Sequence, residues 1–226
     1  MPGVERPLPP RDVLEAARVT ALQSYPAPET AATEPFVTLV QMAAHLLQAP
    51  IAMITLIGRD QQWIKAAYGT ELKRLPRAFT ICNHAIVEPT GAMVVPDTLR
   101  DLRFRDHPLV LAPPHIRFYA GVCMMDSDGY VLGTLCVMDD KPSSIGPDAL
   151  ALLHKLGIET VDALVRQRAE QEALQDNAIP VFNRRSGHWD RDTWTSAASS
   201  NAAILIGCLA ALASPCELGL DVGRRF

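Results

Sequence analysis

One stretch of the sequence, residues 116–139, constrains the fold more than any other. It holds two apolar runs rich in β-forming residues, joined at Asp128-Gly129. Aspartate followed by glycine between such runs is typical of a two-residue type I′ turn, because both central positions of that turn need positive φ. The pattern therefore predicts a β-hairpin in which Ser127 pairs with Tyr130.

This register divides the side chains of the predicted hairpin between two faces. One face is almost wholly apolar and pairs Val122 with Leu135, Ala120 with Val137, and Phe118 with Asp139. The other face mixes small, soft and hydroxyl side chains and pairs Tyr119 with Met138, Gly121 with Cys136, Cys123 with Thr134, and Met125 with Leu132. We expect helices over the first face and a cavity against the second, and a slip of one residue would exchange them.

The rest of the sequence predicts helices and further strands around this hairpin. Apolar residues at spacings of three and four predict helices at residues 12–22 and 29–49, and a third at about 147–175 begins with Pro147-Asp148. Short apolar runs predict strands at 51–57 and 61–68. An irregular section follows over residues 70–111, with a short helix at 81–87, a strand at 93–96 and a turn of helix after Asp101.

Length and composition predict one domain with appendages. The chain has 226 residues, of which 48% are hydrophobic and 20% charged, as in soluble globular proteins. We divide it into an N-terminal extension (1–11), a domain with its flanking helices (12–175) and a C-terminal tail of unknown structure (176–226). The apolar run 202–213 in the tail is shorter than the ~20 residues of a membrane span, so we expect a short packed helix there, with membrane association as the alternative.

Charge and cysteine content exclude several classes of protein. A net charge of -4 gives no basic surface for nucleic acid or for anionic membrane. The five cysteines form no CxxC pair and lie mostly in apolar runs, which favours reduced thiols over a disulfide framework. The prolines and charges of the first twelve residues argue against a signal peptide. We therefore expect a cytoplasmic protein that binds neither nucleic acid nor membrane.

Several strings, taken together over residues 14–175, resemble the GAF domain, a small-molecule sensing module of signalling proteins. They are PIAMITLI, DQQWIKAAYG, CNHAI, VVPDTLRDLRF, HPLV, PPHIRFYAGV, DGYVLGTLCVMD and KPSSIGPDALALLHKLG. The sequence is most similar to bacterial GAF domains that precede histidine-kinase or cyclic-dinucleotide (GGDEF/EAL) output domains. One departure is Thr80-Ile81, where the family more often has serine and phenylalanine.

The resemblance implies an α+β fold and a regulatory function. The fold would be a central antiparallel sheet of five or six strands, with the long helices on one face and an irregular helix and loop cover on the other. A small ligand of unknown identity would bind under the cover, and the terminal helices would transmit the signal in a homodimer, from which a signalling partner protein could receive it. We therefore expect a non-enzymatic sensor without a catalytic or metal site, whose cofactor, if any, is not identified by the sequence.

The candidate ligand-binding residues belong to the predicted cover, to the second strand or to the mixed face of the hairpin. They are Trp63, Phe79, Cys82, His84, Asp97, Tyr119, Cys123 and Cys136. Cys82 and His84 would point about 200° apart on a helix, which argues against a catalytic dyad. Of the two acids Asp97 and Asp101, one would cap a helical turn and the other face the ligand, and we assign the ligand to Asp97.

Other functions remain as alternatives. Light-sensing relatives attach a linear tetrapyrrole through a cysteine that a histidine follows directly, but here Asn83 follows Cys82, and heme ligation by His84 or His115 has still less support. Some stand-alone GAF proteins reduce free methionine sulfoxide with pocket cysteines, and this chain lacks the strings that carry that activity. Redox sensing by Cys123 and Cys136 ranks low, because burial in apolar surroundings makes a thiol inert. A ligand-free dimerisation module is a further alternative.

Overall fold

A computed structural model describes residues 11–27, 30, 32–176, 182–183 and 188–189. The helices are α1 (Arg11–Gln23), α2 (Glu34–Leu47), α3 (Cys82–Ala85), α4 (Pro108–Leu111) and α5 (Pro147–Asp176). The strands are β1 (Ile51–Ile57), β2 (Gln61–Tyr68), β3 (Arg74–Pro76), β4 (Ala92–Val95), β5 (Phe118–Met125), β6 (Val131–Asp139), β7 (Phe182–Asn183) and β8 (His188–Trp189). Short 3₁₀ turns occupy Arg77–Phe79 and Thr98–Arg100.

The core of the fold is a six-stranded antiparallel sheet in the order β3-β2-β1-β6-β5-β4. Strand β1 lies near its centre, between β2 and β6, and six of its seven residues are buried. Its sequence, IAMITLI, is apolar or β-branched throughout, as a strand covered on both faces requires. These features confirm the predicted α+β fold.

The hairpin of β5 and β6 has the predicted register but not the predicted turn. Phe118 opposes Asp139 and Val122 opposes Leu135, as expected. However, Gly129 has φ +85° while Asp128 is not among the residues with positive φ, so the turn is not type I′. Residues 126–130 form a longer connection, in which the Asp126 carboxylate accepts hydrogen bonds from the backbone N–H groups of Asp128 (3.1 Å) and Tyr130 (2.8 Å).

Two predicted pairs are wrong at this end of the hairpin. Ser127 does not pair with Tyr130, because the Tyr130 carbonyl oxygen accepts the N–H of Asp126 (2.9 Å), and a bulge shifts the neighbouring pair. Met125 opposes Val131 instead of Leu132, while Met124 opposes Gly133. Leu132 and Met124 are therefore buried in the helix-side core, and the side chain of Met125 is 51% exposed. The mixed face of the hairpin consequently ends at Cys123 and Thr134.

The apolar face of the sheet packs against the three long helices, as predicted. α2 begins at Glu34, later than residue 29, with a proline in its first turn. The buried residues of each helix lie on the side that faces the sheet, as the apolar side of an amphipathic helix does. From α1, α2 and α5 they include Leu22, Phe36, Val40, Ala43, Leu153 and Leu164. Full burial of a side chain of this size contributes roughly 1.5–3 kcal/mol, so this layer holds the long helices on the sheet.

The irregular section covers the opposite face and forms a second apolar cluster. Its cover residues include Ile81, Ala85, Phe104 and Val110, which pack against sheet residues such as Tyr119. The predicted short helix is confirmed as α3 and the predicted strand as β4, each with shifted ends.

The turn of helix predicted after Asp101 is confirmed. The Asp101 carbonyl oxygen accepts hydrogen bonds from the backbone N–H groups of Phe104 (3.0 Å) and Arg105 (2.9 Å). The Asp101 carboxylate accepts the N–H of Arg103 (2.9 Å) in the same turn. A separate 3₁₀ turn, Thr98–Arg100, precedes it, and the Asp97 carboxylate accepts a hydrogen bond from the Leu99 N–H (3.1 Å) at its start.

The chain divides into two compact units, with the boundary after Arg168. In the second unit, residues 169–176 are the last turns of α5, and β7 pairs with β8 through Phe182 with Trp189 and Asn183 with His188. The apolar run 202–213, for which a short helix is predicted, lies outside the described residues. The division into 1–11, 12–175 and 176–226 stays a prediction.

Candidate functional site

A cavity of about 290 Å³ lies between the sheet and its cover. Its apolar wall comes partly from the sheet, through Ile51, Met53 and Met138. The cover supplies the rest of this wall, through Leu72, Ile81, Leu109, Pro113, Pro114 and Ile116. The volume is at the lower end of the roughly 300–1,000 Å³ of small-ligand pockets. This position, on the mixed face of the hairpin, is the one that the sequence predicts for a ligand.

Few polar groups reach the cavity, and no charged side chain lines it. The Thr80 hydroxyl is already used, because it donates to the Arg77 carbonyl oxygen (3.0 Å). Gln62 differs: its side chain is 1% exposed, and its Oε1 has no hydrogen-bond partner among the described residues. A buried acceptor without a partner costs about 1–3 kcal/mol, so Gln62 carries an unused hydrogen-bonding capacity at the cavity wall.

Three predicted site residues meet at the inner wall of the cavity. Cys82 lines it, and Cys136 and Tyr119 lie beside Cys82, with the two Sγ atoms 3.7 Å apart. All three side chains are at most 2% exposed. The Tyr119 ring lies over Gly121, where an added Cβ would stand 2.3 Å from the tyrosine hydroxyl. Glycine at this position therefore allows Tyr119 to face the cysteines.

Buried hydroxyl groups continue this cluster away from the cavity. The hydroxyls of Thr55 and Thr134, both fully buried, are 2.9 Å apart. Burial raises the pKa of Tyr119 well above its ordinary value, so the phenol stays protonated, and its hydroxyl lies beside Cys82 and Thr134 without a hydrogen bond of ordinary geometry to any described residue. The hydrogen bond between the two thiols lowers the pKa of Cys82 and raises that of Cys136.

The fourth candidate on the same side of the sheet, Cys123, does not line the cavity. Its Sγ donates to the Ala85 carbonyl oxygen (3.3 Å), and burial raises the pKa of the thiol to about 11. Cys123 is therefore a structural contact between β5 and α3.

The other four predicted site residues lie elsewhere. Trp63 lines a groove that Ala16 and Val19 of α1 also line, on the helix side of the sheet. Phe79 is 53% exposed, and the exposed His84 packs edge-on against Phe104, with ring centroids 5.0 Å apart. The opposed directions of Cys82 and His84 agree with the helical spacing.

Asp97 is held by an arginine far along the sequence. Both of its carboxylate oxygens accept hydrogen bonds from Arg117, each at 3.0 Å, and these bonds lower the pKa of Asp97. The pair lies outside the cavity, where Arg100 also approaches at 3.5 Å. Asp97 thus has the capping role that the sequence assigns to either acid, together with an ion pair.

Arg77, which sequence reasoning missed, connects the cavity wall to α1. Its backbone carbonyl accepts the Thr80 hydroxyl at the cavity, and its Nε donates to the Asn83 side chain (2.7 Å), next to Cys82. Its Nη1 donates to Glu15 of α1 and to the Gly58 carbonyl oxygen (2.9 Å). Burial by itself would raise the pKa of Glu15, but hydrogen bonds from Arg18 and Arg77 outweigh it and lower the pKa to about 2.

Gln62 was also missed, although the sequence holds a signal for it. Gln62 opposes Ile57 across β1 and β2, and Ile57 belongs to the cover-side cluster. Opposed residues share a face, so pairing the two strands through Gly58-Arg59-Asp60 would have placed this amide on the cavity side.

The described residues narrow the range of cofactors. None of them forms a group of three or more histidine, cysteine, aspartate or glutamate side chains that could hold a metal ion. The cavity also offers no cationic side chain to the carboxylates of a linear tetrapyrrole, so its residues do not fit that chromophore. Within the described part of the chain, no helix combines the length and apolar character needed to cross a bilayer.

Comparisons with known proteins agree with this architecture. The GAF domain family matches residues 33–164. A cyclic di-GMP phosphodiesterase of Pseudomonas aeruginosa is 39% identical over 114 residues, which are 50% of this chain and 19% of the relative. The chain thus spans about a fifth of the length of that curated relative.

Solved structures with the same fold come from proteins of different activity. The GAF domain of an Acinetobacter phosphoenolpyruvate-protein phosphotransferase has a TM-score of 0.51 at 14% identity, covering 70% of this chain and 95% of its own. The blue-light absorbing PixJ GAF domain of Thermosynechococcus elongatus gives 0.52 at 14% identity, covering 71% and 95%. The free methionine-R-sulfoxide reductase of Neisseria meningitidis gives 0.50 at 15% identity, covering 75% and 99%. At such identities these likenesses show the fold alone.

Proposed function

The chain belongs to the GAF domain family, and from this premise we propose that it is a non-enzymatic sensory module whose cavity binds a small ligand. One observation carries the proposal: a cavity of about 290 Å³ has an apolar wall, and one of its few polar lining residues, Gln62, has an Oε1 without a hydrogen-bond partner among the described residues. Binding sites for small molecules combine these two features, an apolar wall and a few polar groups that orient the ligand.

The lining of the cavity favours one chemical class of ligand. Because no charged side chain lines the cavity, an anionic or cationic ligand would bury its charge without a partner. The free acceptor at Gln62 favours a ligand that carries one N–H or O–H donor. The proposed ligand is therefore a small, neutral, mostly apolar molecule with a single donor, and not a phosphate-rich nucleotide.

The contacts of Arg77 provide a route from the ligand to α1. A ligand that moves Thr80 or Cys82 would displace the segment that Arg77 ties to Glu15. The bound and free states would then differ in how firmly α1 is held, which is what a ligand needs in order to shift a conformational equilibrium. Hydrogen exchange measures how far ligand binding changes the protection of the α1 amides. If the Arg77→Gln variant loses this change, the result supports the route, and if the change is the same as in the wild type, the result contradicts it.

The signal would pass to a second copy of the chain and to an output protein. The first unit exposes apolar side chains on its terminal helices, including Val13 and Leu14 on α1 and Ile158 and Val165, one heptad apart, on α5. We propose a cytoplasmic homodimer formed through these helices. The kinship with a cyclic di-GMP phosphodiesterase favours an output in cyclic dinucleotide signalling. Light scattering that finds a monomer at tens of micromolar would contradict the dimer.

Native mass spectrometry of the freshly purified chain tests ligand binding. We expect a bound species of low mass that dissociates on denaturation and whose occupancy falls in the Gln62→Leu variant. An absorption spectrum of the same sample tests for a chromophore. A preparation that holds no ligand, and whose stability no neutral compound of a screening library changes, would favour the ligand-free dimerisation module instead.

The reductase alternative has one structural observation in its favour, because Cys82 reaches the cavity and lies beside a second thiol. A thiol-dependent reduction of free methionine sulfoxide, lost in Cys82→Ser, would establish it. Cys123→Ser is the matched control, because Cys123 does not line the cavity. We expect no turnover by any of the three proteins.

A further inference from the structure

Two cysteines from distant parts of the sequence are in contact at the cavity wall. Cys82 begins α3 and Cys136 lies on β6, 54 residues later, and both are free thiols with their Sγ atoms 3.7 Å apart. We propose that Cys82 and Cys136 are an oxidation site, which hydrogen peroxide converts into a reversible disulfide. This proposal does not depend on the nature of the small ligand.

The geometry allows the bond to form with small movements. A disulfide has an S–S length of about 2.05 Å, so the two sulfur atoms must approach by roughly 1.7 Å. Each Sγ is joined to its backbone through a single rotatable Cα–Cβ bond, and rotations about these two bonds supply displacements of this order. Among the described cysteines Cys123 has no such neighbour, and its thiol is hydrogen-bonded to the Ala85 carbonyl oxygen.

Cys82 is the residue placed to react first. Both cysteines are buried, Cys82 at 2% and Cys136 at 0% exposure, but only Cys82 of the two is among the residues that line the cavity, through which peroxide would reach the pair. The hydrogen bond from Cys136 also lowers the pKa of Cys82, which favours the reactive thiolate. The Tyr119 hydroxyl beside the pair has no partner of ordinary geometry among the described residues and can donate to that thiolate.

The chemistry balances in two steps. The Cys82 thiolate attacks one oxygen of peroxide, the O–O bond breaks, and hydroxide leaves and takes a proton to become water, which yields a sulfenic acid on Cys82. The Cys136 sulfur then attacks Cys82 Sγ, the S–O bond breaks, and the leaving hydroxide takes the Cys136 proton as a second water. The two thiols lose two electrons and peroxide is reduced to two waters. A cellular dithiol restores the pair by thiol–disulfide exchange.

The disulfide would join the cover to the sheet at the cavity wall. Cys82 belongs to α3 in the cover, and Cys136 to β6 near the centre of the sheet. A covalent bond between them fixes the position of one lining residue. Oxidation would thus be a second input to the same module.

Peptide mapping of the full chain tests the proposal. The protein is treated with peroxide, its remaining thiols are blocked with iodoacetamide, and it is digested with trypsin and an aspartate-specific protease. This pair of enzymes isolates Cys136 from Cys123 by cleavage at Asp126 and Asp128. We expect a peptide pair that joins Cys82 to Cys136, a mass lower by two hydrogens, and full reversal by dithiothreitol.

Variants sharpen the test. Cys123→Ser should form the same linked peptides at the wild-type rate, and Cys136→Ser should form none and leave a sulfenic acid on Cys82 that dimedone traps. We expect the Cys82–Cys136 pair to oxidise on the order of ten times faster than Cys123. Peroxide treatment of the wild type that leaves Cys82 reduced, or takes it to a sulfinic acid without the linked peptides, overturns the proposal, and this result needs no variant to fold.

Discussion

Replacing Gln62 with leucine should make the unliganded protein more stable and a poorer receptor. The Gln62 side chain is 1% exposed, and its Oε1 has no hydrogen-bond partner within the described residues. Leucine has a similar size and no polar atom, and its neighbours at the cavity are mostly apolar. The substitution therefore removes a buried acceptor without leaving another polar group unpaired.

The expected gain follows from the cost of an unpaired acceptor. That cost is about 1–3 kcal/mol. Because the substitution recovers only part of this cost, we expect a gain of about 1–2 kcal/mol in the free energy of unfolding. For a domain of this size, each kcal/mol corresponds to about 2–4 °C in Tm. The Gln62→Leu variant should therefore melt about 2–8 °C above the wild type when both are free of ligand.

The affinities of two probe molecules separate the contribution of the hydrogen bond to Gln62 from the contribution of apolar contacts. Indole has an N–H donor for Oε1, whereas benzothiophene has nearly the same shape and no donor. A neutral hydrogen bond contributes about 1 kcal/mol, so the wild type should bind indole roughly fivefold more tightly than benzothiophene. Gln62→Leu should bind both equally, as measured by isothermal titration calorimetry.

Gln167→Leu is the matched control, because the Oε1 of Gln167 is also buried without a partner among the described residues, and Gln167 does not line the cavity. It should leave the preference for indole unchanged. A Gln62→Leu variant that is less stable than the wild type by 1 kcal/mol or more, or that still prefers indole, would refute the account of this amide.

Three further predictions concern the surroundings of the site. The pKa of Glu15 falls from 4.5 to about 2 on folding, so its ion pairs stabilise the protein above pH 4.5, and this contribution is lost as the pH falls towards 2. After a discount for the solvent exposure of Glu15, the Glu15→Gln variant should lose about 1–2 kcal/mol of unfolding free energy at pH 7, as measured by urea unfolding. The difference in unfolding free energy between this variant and the wild type should narrow by more than half at pH 3. Gly121→Ala should cost about 1–3 kcal/mol because the new Cβ would stand 2.3 Å from the Tyr119 hydroxyl, whereas Gly146→Ala, with nothing within 4 Å, should change stability little. Ile158→Asp, at a side chain 62% exposed on α5, should convert the dimer to monomer in light scattering without lowering Tm by more than about 2 °C, and a persistent dimer would exclude this face.

The register of the hairpin could be predicted from sequence although the predicted turn was wrong. The alternation of apolar and mixed side chains on β5 and β6 restricts the register, since a slip of one residue would bring Ala120 and Val137 to the wrong face. The Asp126 carboxylate holds a longer connection, and the bulge at Met124 and Met125 absorbs the difference. The predicted pairs Ser127–Tyr130 and Met125–Leu132, at and next to the turn, were wrong.

The direction of a site side chain could be predicted only where the regular repeat of a helix or a strand determines it. Cys82 and His84 point apart because of helical geometry, and Tyr119 and Cys136 share a face because strands alternate. Asp97 could not be placed in this way, because its partner Arg117 comes from the start of the next strand region, twenty residues later. The ligand-facing role assigned to Asp97 depends on such long-range contacts.

The cavity itself depends on segments that have no periodic pattern. Leu72, Leu109 and Pro113 reach it from loops and short turns, and nothing in their spacing relates them to Gln62. The contact between Cys82 and Cys136 arises in the same way, because α3 approaches the sheet only when the whole cover has folded. Sequence reasoning predicted the face of the sheet on which the cavity lies but not the residues that line the cavity.

Methyl NMR of the protein labelled with ¹³C-methyl methionine tests the central claim, that the cavity binds a small neutral ligand, most directly. Met53 and Met138 line the cavity, whereas Met42 and Met125 are exposed outside it. On titration with indole, the Met53 and Met138 methyl signals should shift and saturate together, and those of Met42 and Met125 should stay in place. If the Met53 and Met138 signals do not move, or if all four move in proportion to the indole added, the cavity is not a ligand site.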